Sequence, residues 1–245
     1  MRLRVLELPV DGLPVELDGL RIAHLSDFHL GVPSLGARAV SRAVRWVAER
    51  EPDLVCITGD LLSRASGEAR MTQLLEKLPE ETYVVLGNHD FAISRDPFSQ
   101  PVPLVELAHG RLLSDESIET VLRGVRVEVA GVDPRSWLAK RPSGFGPTEA
   151  PFRLLLCHFP RVLNWVGPGR WHLVLAGHLH AGQIVLPYGR RSRLLLAHPG
   201  ENYDRGIYRR GATVMHVSPG LGTTFVPFRF FARPEATELV LRSRA

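Results

Sequence analysis

Residues 20–31 read Leu-Arg-Ile-Ala-His-Leu-Ser-Asp-Phe-His-Leu-Gly, a short apolar run that ends on Asp27 and His29. The run has the length and composition of a buried strand. The pair that follows it offers a carboxylate and an imidazole, both good ligands for a hard or borderline divalent cation. Working outward, the same arrangement recurs four times. Residues 54–58 lead to Gly59-Asp60, 83–86 to Gly87-Asn88-His89-Asp90, 154–157 to His158, and 173–176 to Gly177-His178-Leu179-His180. Strand ends that feed polar loops are where α/β proteins carry their sites. The chain is therefore expected to converge its ligands on one rim of a sheet.

The spacing has a physical reading. In extended backbone, residues i and i+2 point to the same side, so Asp27 and His29 are expected to face one cation or its edge, and the same parity applies to His178 and His180. Asp60 stands alone after its strand, and a lone carboxylate with two oxygens is a natural bridge between two cations. Asn88 offers a neutral carbonyl oxygen. Two divalent cations carry a formal charge of about +4, against about −3 from Asp27, Asp60 and a bridging hydroxide. The remaining positive charge suits a phosphodiester anion, and a further Asp at position 88 would cancel it. Any one of these islands alone reads as a loop or turn, and His158 alone reads as a buried structural histidine. Only their combination points to chemistry.

The order D-x-H, G-D, G-N-H-D, a single His, then G-H-x-H resembles the calcineurin-like metallophosphoesterases. The longer strings HLSDFHLG, ITGDLL, VVLGNHD, LLCHFP and LVLAGHLHAGQI, with the tail VSPGLGTTFVPFRFFARPEATELVLR, are similar to their YkuE-like bacterial branch. The resemblance runs from about residue 20 to the end of the chain. It implies that Asp27, His29 and His180 hold a first metal, that Asp60 bridges, and that Asn88, His158 and His178 hold a second. It also implies that His89 acts beside the scissile phosphate, by stabilising charge or protonating the departing oxygen, with Asp90 fixing its ring. A hydroxide held between the metals is then expected to attack in line, with no covalent phosphoenzyme. Manganese is the expected cation, with iron, zinc and magnesium compatible with the same N/O ligand set. Two positions depart from the usual Gly-His-Thr-His-Gly-Gly pattern. Leu179 is expected to point away from the metals by strand parity, and Ala181 limits the backbone if that position needs positive φ.

Early strand-like runs alternate with helical ones. Residues 35–50 repeat Val40, Ala43, Val44 and Val47 at helical spacing, and 68–78 show a similar face. From 117 onward the chain turns β-rich, with strands expected over 118–122, 125–132, 194–197, 213–218 and 237–241, and a short N-terminal strand over 1–8. Alternation followed by strands fits two sheets packed face to face with helices outside. The resemblance implies the same α/β class, a four-layer α/β/β/α sandwich of two mixed sheets. At 245 residues and 44 % hydrophobic the chain can bury a large core, and residues 1–245 are read as a single domain. The Pro/Gly-rich stretch 133–151 reads as a surface loop.

The net charge of +4 permits a nucleic-acid partner without favouring it, since 28 of the 30 basic residues are Arg, a uniform bias rather than a patch. Arg190, Arg191, Arg193, Arg205, Arg209 and Arg210 form the one cluster near a metal motif, read as a solvated loop or as a hold on substrate phosphates. Phe225, Phe228, Phe230 and Phe231 alternate with Arg229 in a stretch that reads first as the buried face of a terminal strand, and second as a peripheral membrane contact. The histidines outside the motifs (His24, His109, His172, His198 and His216) read as structural or solvent-facing. Cys56 and Cys157 lie in buried-looking strands and suggest no disulfide. No apolar run has the length of a transmembrane span, so a cytoplasmic location is expected. The expected function is phosphodiester hydrolysis by two metals on a small-molecule or lipid-linked phosphoester, for example a lipid-linked pyrophosphate of the UDP-diacylglucosamine type. A nuclease and a catalytically silent metal-binding module are the alternatives.

Overall fold

The computed structural model describes residues 1–244 except 94, 95, 101, 103, 105, 141–144, 147, 168, 189–191 and 196–199, with backbone alone for 187, 188 and 192–195. Two six-stranded mixed sheets face one another. The first is built from β1 (Arg2–Asp11), β2 (Arg21–Leu25), β3 (Leu54–Thr58), β4 (Thr82–Val85), β5 (Arg111–Leu112) and β14 (Glu235–Arg244), in the order β1-β14-β2-β3-β4-β5. The second contains β6 (Glu116–Leu122), β7 (Val125–Val132), β8 (Phe152–Cys157), β9 (Leu173–Ala176), β12 (Gly206–Arg210) and β13 (Thr213–Val217), in the order β12-β13-β9-β8-β7-β6. A hairpin of β10 (Val185–Tyr188) and β11 (Ser192–Leu195) stands apart. β2 to β5 run parallel in one sheet, as do β7, β8, β9 and β13 in the other. Their C-terminal ends carry the polar loops.

Strand alternation sorts the side chains into three apolar layers. Ile22, Leu54, Cys56 and Val85 meet Val129, Leu154, Leu156 and Leu175 between the sheets. On the outer face of the first sheet, Ala23, Val55, Ile57 and Val84 pack on α1 (Gly36–Arg50) and α2 (Glu68–Leu75) through Val40, Val44, Val47 and Leu74. This confirms the helical face read from residues 35–50. The outer face of the second sheet is covered more thinly, by α3 (Pro134–Leu138) and α4 (Val162–Trp165) with Trp171. α3 falls inside the stretch expected to be loop; Asp133 caps it by accepting the Arg135 N–H at 2.7 Å, with Pro134 supplying a preset φ. β12 was not visible in the sequence pattern, being an edge strand with mostly exposed side chains. Arg209 and Arg210 on it bond the backbone carbonyls of Pro9 and of Leu163 and Asn164, so they tie elements together rather than line a phosphate site. Arg190, Arg191, His198 and Ala197 lie outside the described residues. Cys56 and Cys157 are buried and free.

The position of β14 is the least local feature of the fold. It is parallel to β1 (Arg2 opposite Glu235) and antiparallel to β2 (Thr237 opposite His24), so the last strand separates the first two. Glu238 on its outer face is buried and accepts from Arg50 at 2.6 and 2.7 Å and from Arg21 at 3.0 Å, which fastens the end of α1 to the sheet.

A polar seam crosses the apolar core. His24 of β2 and His216 of β13 both point inward and meet with their Nδ1 atoms 2.7 Å apart. His24 Nε2 lies 2.9 Å from Thr58 Oγ1, which donates to Ser26 Oγ (2.8 Å), which donates to the Thr58 carbonyl (3.0 Å). With Thr58 donating onward, one assignment serves every group: His216 Nδ1–H donates to His24 Nδ1, and His24 Nε2–H donates to Thr58. Both rings are then neutral. Burial lowers both pKa values, that of His216 to about 3. In the unfolded chain both titrate near 6.5, so the unfolded state binds more protons between about pH 3 and 6.5, and stability must fall as pH falls through that window. Replacing the pair together (His24→Leu with His216→Leu) is expected to flatten the dependence of unfolding free energy on pH between 4 and 6.5, by up to about 1.4 kcal/mol per pH unit for each ring. Urea titrations across that range provide the check, and an unchanged slope would refute the neutral-pair assignment.

Candidate metal centre

The loops at the strand ends bring all seven expected ligands together, but not by strand parity. The chain turns through left-handed backbone at Asp27 (φ 55°), His29 (φ 48°), Asp60 (φ 55°), His178 (φ 77°) and His180 (φ 49°). Such backbone costs a residue with a Cβ roughly 1–2 kcal/mol, so five of the candidate ligands sit in conformations that only their surroundings sustain. The extended reading of Asp27-x-His29 and His178-x-His180 is thereby corrected: tight turns, not alternation, aim these side chains. Leu179 is buried within the same turn, so its orientation does not follow from parity either. Ala181 does occupy positive φ (53°), where glycine would be unstrained. The loops also approach very closely. A methyl group on Gly87 would overlap Asp60 Oδ1, and one on Gly177 would overlap Ser26 Oγ.

Two groups of donor atoms result, each with its atoms within 4.8 Å of one another: Asp27, His29, Asp60 and His180, and Asp60, His158 and His178. Asp60 belongs to both. In the first group His29 Nε2 lies 3.1 Å from His180 Nε2 and 3.4 Å from Asp60 Oδ2, and His180 Nε2 lies 3.3 Å from Asp27 Oδ1. In the second, His158 Nε2 lies 3.2 Å from Asp60 Oδ2, and 3.1 Å from both His178 Nδ1 and Asn88 Oδ1. His178 and His180, two residues apart, thus divide between the groups.

The far sides of the His29, His158 and His180 rings are held. His29 Nδ1 is 3.1 Å from Ser63 Oγ, and His158 Nδ1–H donates to the Thr58 carbonyl at 2.7 Å, which leaves Nε2 of each facing the cluster. This is the outer-shell pattern that orients metal-binding imidazoles. His180 is held differently. The half-buried Arg229 donates to the carbonyls of Gly222 (2.8 Å), Pro219 (2.7 Å) and His180 (3.1 Å), and to His180 Nδ1 at 2.9 Å. A guanidinium only donates, so Nδ1 accepts and the ring proton sits on Nε2, facing Asp27; that nitrogen would have to release its proton to hold a cation. Burial lowers the Arg229 pKa to about 10. The sequence reads Arg229 as interleaved among the phenylalanines of a terminal strand; its inward course is not legible there because it depends on where the loop after β13 returns.

The electrostatics match this geometry. Burial works to raise the pKa values of Asp27 and Asp60, but the imidazoles of His180 and His158 respectively hold both carboxylates below the ordinary range. His158, despite burial, is raised to about 9 by Asp60. Four imidazoles and a carboxamide therefore stand around two ionised carboxylates. That donor set suits divalent cations that accept mixed oxygen and nitrogen ligands.

His89 borders the first group, its ring edge-on to His29 with centroids 4.7 Å apart, and its backbone N–H donates to Asp60 Oδ1 at 2.8 Å. The expected role of Asp90 is not what the hydrogen bonds display. Its two oxygens accept the backbone N–H groups of Leu62 (2.9 Å) and Gly87 (2.8 Å), so it clamps the ligand loops after β3 and β4 to each other. Burial and the nearby charge of Asp60 push its pKa up to about 7. The His89 ring is instead engaged by Ser99, whose Oγ lies 2.6 Å from Nδ1, with Asp96 Oδ2 3.7 Å away. Ser99 and Asp96 carry no motif; they follow His89 in an irregular loop whose path the sequence pattern does not specify.

Comparison with known proteins agrees with the geometry. Residues 20–182 match the family of calcineurin-like phosphoesterases. A zebrafish (Danio rerio) transmembrane protein with metallophosphoesterase domain is 31 % identical over 260 residues, covering 96 % of this chain and 56 % of the relative, so the chain spans little more than half that protein's length. The metallophosphoesterase YkuE of Bacillus subtilis is 28 % identical, over 94 % of this chain and 82 % of the relative. Phosphodiesterase YaeI of Escherichia coli is 25 % identical, over 90 % and 82 %. With two facing mixed sheets, ligands on their shared rim and the family match across both, the chain belongs to the calcineurin-like phosphoesterases.

Proposed function

We propose that this chain hydrolyses phosphodiesters with two divalent cations, manganese being the preferred ion and iron, zinc or magnesium alternatives. The observation that carries the proposal is Asp60, one carboxylate within reach of two separate groups of ligands. Asp27, His29 and His180 complete one group, and Asn88, His158 and His178 the other. Divalent cations supply a lowered pKa for the attacking water and compensation of the phosphoryl charge. The protein's own residues supply the rest. Two carboxylates against two divalent ions leave a net positive charge, to which the Arg229 guanidinium adds, and this favours an anionic phosphoester over a neutral ester. The name phosphodiesterase borne by the E. coli relative supports a diester as the substrate class. His89, engaged at Nδ1 by Ser99, presents its other nitrogen towards the departing oxygen as the group that stabilises or protonates it. Ser99 and Asp96 act through His89 as positioning residues, and Asp90 holds the loops.

Three outcomes are expected. Initial rates with Mn²⁺ added to stripped protein should favour bis-p-nitrophenyl phosphate over p-nitrophenyl phosphate; cleavage of the monoester alone would reverse the proposed preference. Titration calorimetry should show two Mn²⁺ sites, with Asp60→Ala losing both and His178→Ala retaining one; the loss of both in His178→Ala would contradict the division of ligands. His89→Ala should retain both ions and lose about 10²–10⁴-fold in kcat, whereas Ser99→Ala should lose less and shift the pH–rate profile. A fully active His89→Ala enzyme would remove the assigned role.

A further inference from the structure

A cavity of about 230 Å³ lies beside the ligand cluster, walled by Val32, Pro33, Phe98, Phe225, Val226 and Pro227. Its three walls continue the loops that carry the site. Val32 follows His29 by three residues, Phe98 lies on the loop after His89, and the third wall begins just after Gly222, whose N–H donates to the Asp27 carbonyl at 2.5 Å. Asp96 belongs both to the lining and to the surroundings of His89, 3.7 Å from its Nδ1. The cavity therefore opens where a group attached to a reacting phosphate would extend.

Its chemistry selects the occupant. Among the described residues no Lys or Arg lines it, and Asp96 is the one charged group. The carboxylate of Asp96 already accepts the Phe98 N–H (2.9 Å), the Phe225 N–H (3.3 Å) and the Ser99 hydroxyl (3.4 Å). Among the described residues a second phosphate finds no cation there, and it meets the Asp96 carboxylate. A polar sugar or base finds few partners: the walls are mainly Val, Pro and Phe, and of the three hydroxyls of Ser34, Thr223 and Thr224, that of Ser34 already accepts the Gly36 N–H and that of Thr224 already donates to Gln183. Hydrocarbon fits, and the volume exceeds the ~150 Å³ of an apolar cavity that accommodates benzene. The mouth continues the same surface: Phe98 and Phe225 are about half-exposed, as are Phe228, Phe230 and Phe231 further along the loop. That much exposed aromatic surface beside a site marks a place where an apolar ligand arrives.

We propose that this cavity receives the hydrocarbon arm of an amphiphilic phosphoester whose phosphate lies at the ligand cluster, an assignment that rests on the phosphodiesterase reading above. The test uses the Mn²⁺-loaded full chain and a series of n-alkyl p-nitrophenyl phosphates (methyl, butyl, octyl) below their micellar concentrations, with thymidine 5′-p-nitrophenyl phosphate for comparison. kcat/KM should rise by up to about four-fold per methylene, then level off once the cavity is filled, and the octyl ester should exceed the thymidine ester. Binding of n-octyl against methyl phosphate, measured by calorimetry, should rise in parallel without requiring turnover. Phe98→Ser and Val226→Ser should each reduce the octyl-to-methyl ratio in both measurements. Cleavage of the methyl ester with a flat series overturns the cavity assignment and leaves the phosphodiesterase reading intact, as does a ratio unchanged in both variants. Preferential octyl phosphate binding without cleavage of any ester supports the cavity and defeats the phosphodiesterase reading.

Discussion

Two ionised carboxylates, Asp27 and Asp60, lie almost wholly out of solvent at the rim where the two sheets meet, and the surrounding structure answers to that burial. A carboxylate removed from water is costly unless charge and hydrogen bonds replace its hydration. Replacement comes from several distant loops at once. The His178 N–H reaches both oxygens of Asp27 at 3.1 and 3.2 Å, the His89 N–H reaches Asp60, and the imidazoles of His180 and His158 stand against them. For these loops to come so close, Gly87 and Gly177 must lack side chains, and five ligands must adopt left-handed backbone. Strain and charge concentrate at one point, as is common where a fold holds reactive groups.

The support beneath this point reaches into the core. The chain of hydrogen bonds from His216 through His24, Thr58 and Ser26 ends on the Thr58 carbonyl, the same oxygen that accepts from His158 Nδ1. A ligand is thus oriented by groups on strands of both sheets, and the polar seam doubles as part of the site's foundation. On the opposite flank Arg229 holds His180 and two turns of the loop after β13, while Asp90 joins the loops after β3 and β4 through backbone N–H groups. Both side chains stabilise the arrangement without pointing at a reacting atom.

The aromatic segment 225–231 shows how local patterning can mislead. Alternating Phe residues suggested a strand with a buried face, yet the segment is an irregular loop, with left-handed backbone at Phe225 and Phe231, Pro227 within it, and four phenylalanines about half-exposed. The side chain that turns inward in the middle is Arg229, the residue that a strand with its phenylalanines buried would have turned outward. Among the described residues no helix is long and apolar enough to cross a membrane. The exposed apolar surface gathers beside the site instead.

By itself the sequence determined the class of fold, the strands that precede each polar island and the inventory of candidate donor residues. Those signals are local: an apolar run buries itself, and the residues just beyond its end are carried to the rim wherever the strand goes. The tertiary structure alone decided which group each histidine joins, that Arg229 turns inward, that Ser99 rather than Asp90 meets the His89 ring, and that β14 separates β1 from β2. Each of these depends on the φ of a turn residue or on contact between loops far apart in the chain, such as His29 with His180. No short stretch of sequence encodes such a contact, because its energy exists only once both loops have been brought to the same rim.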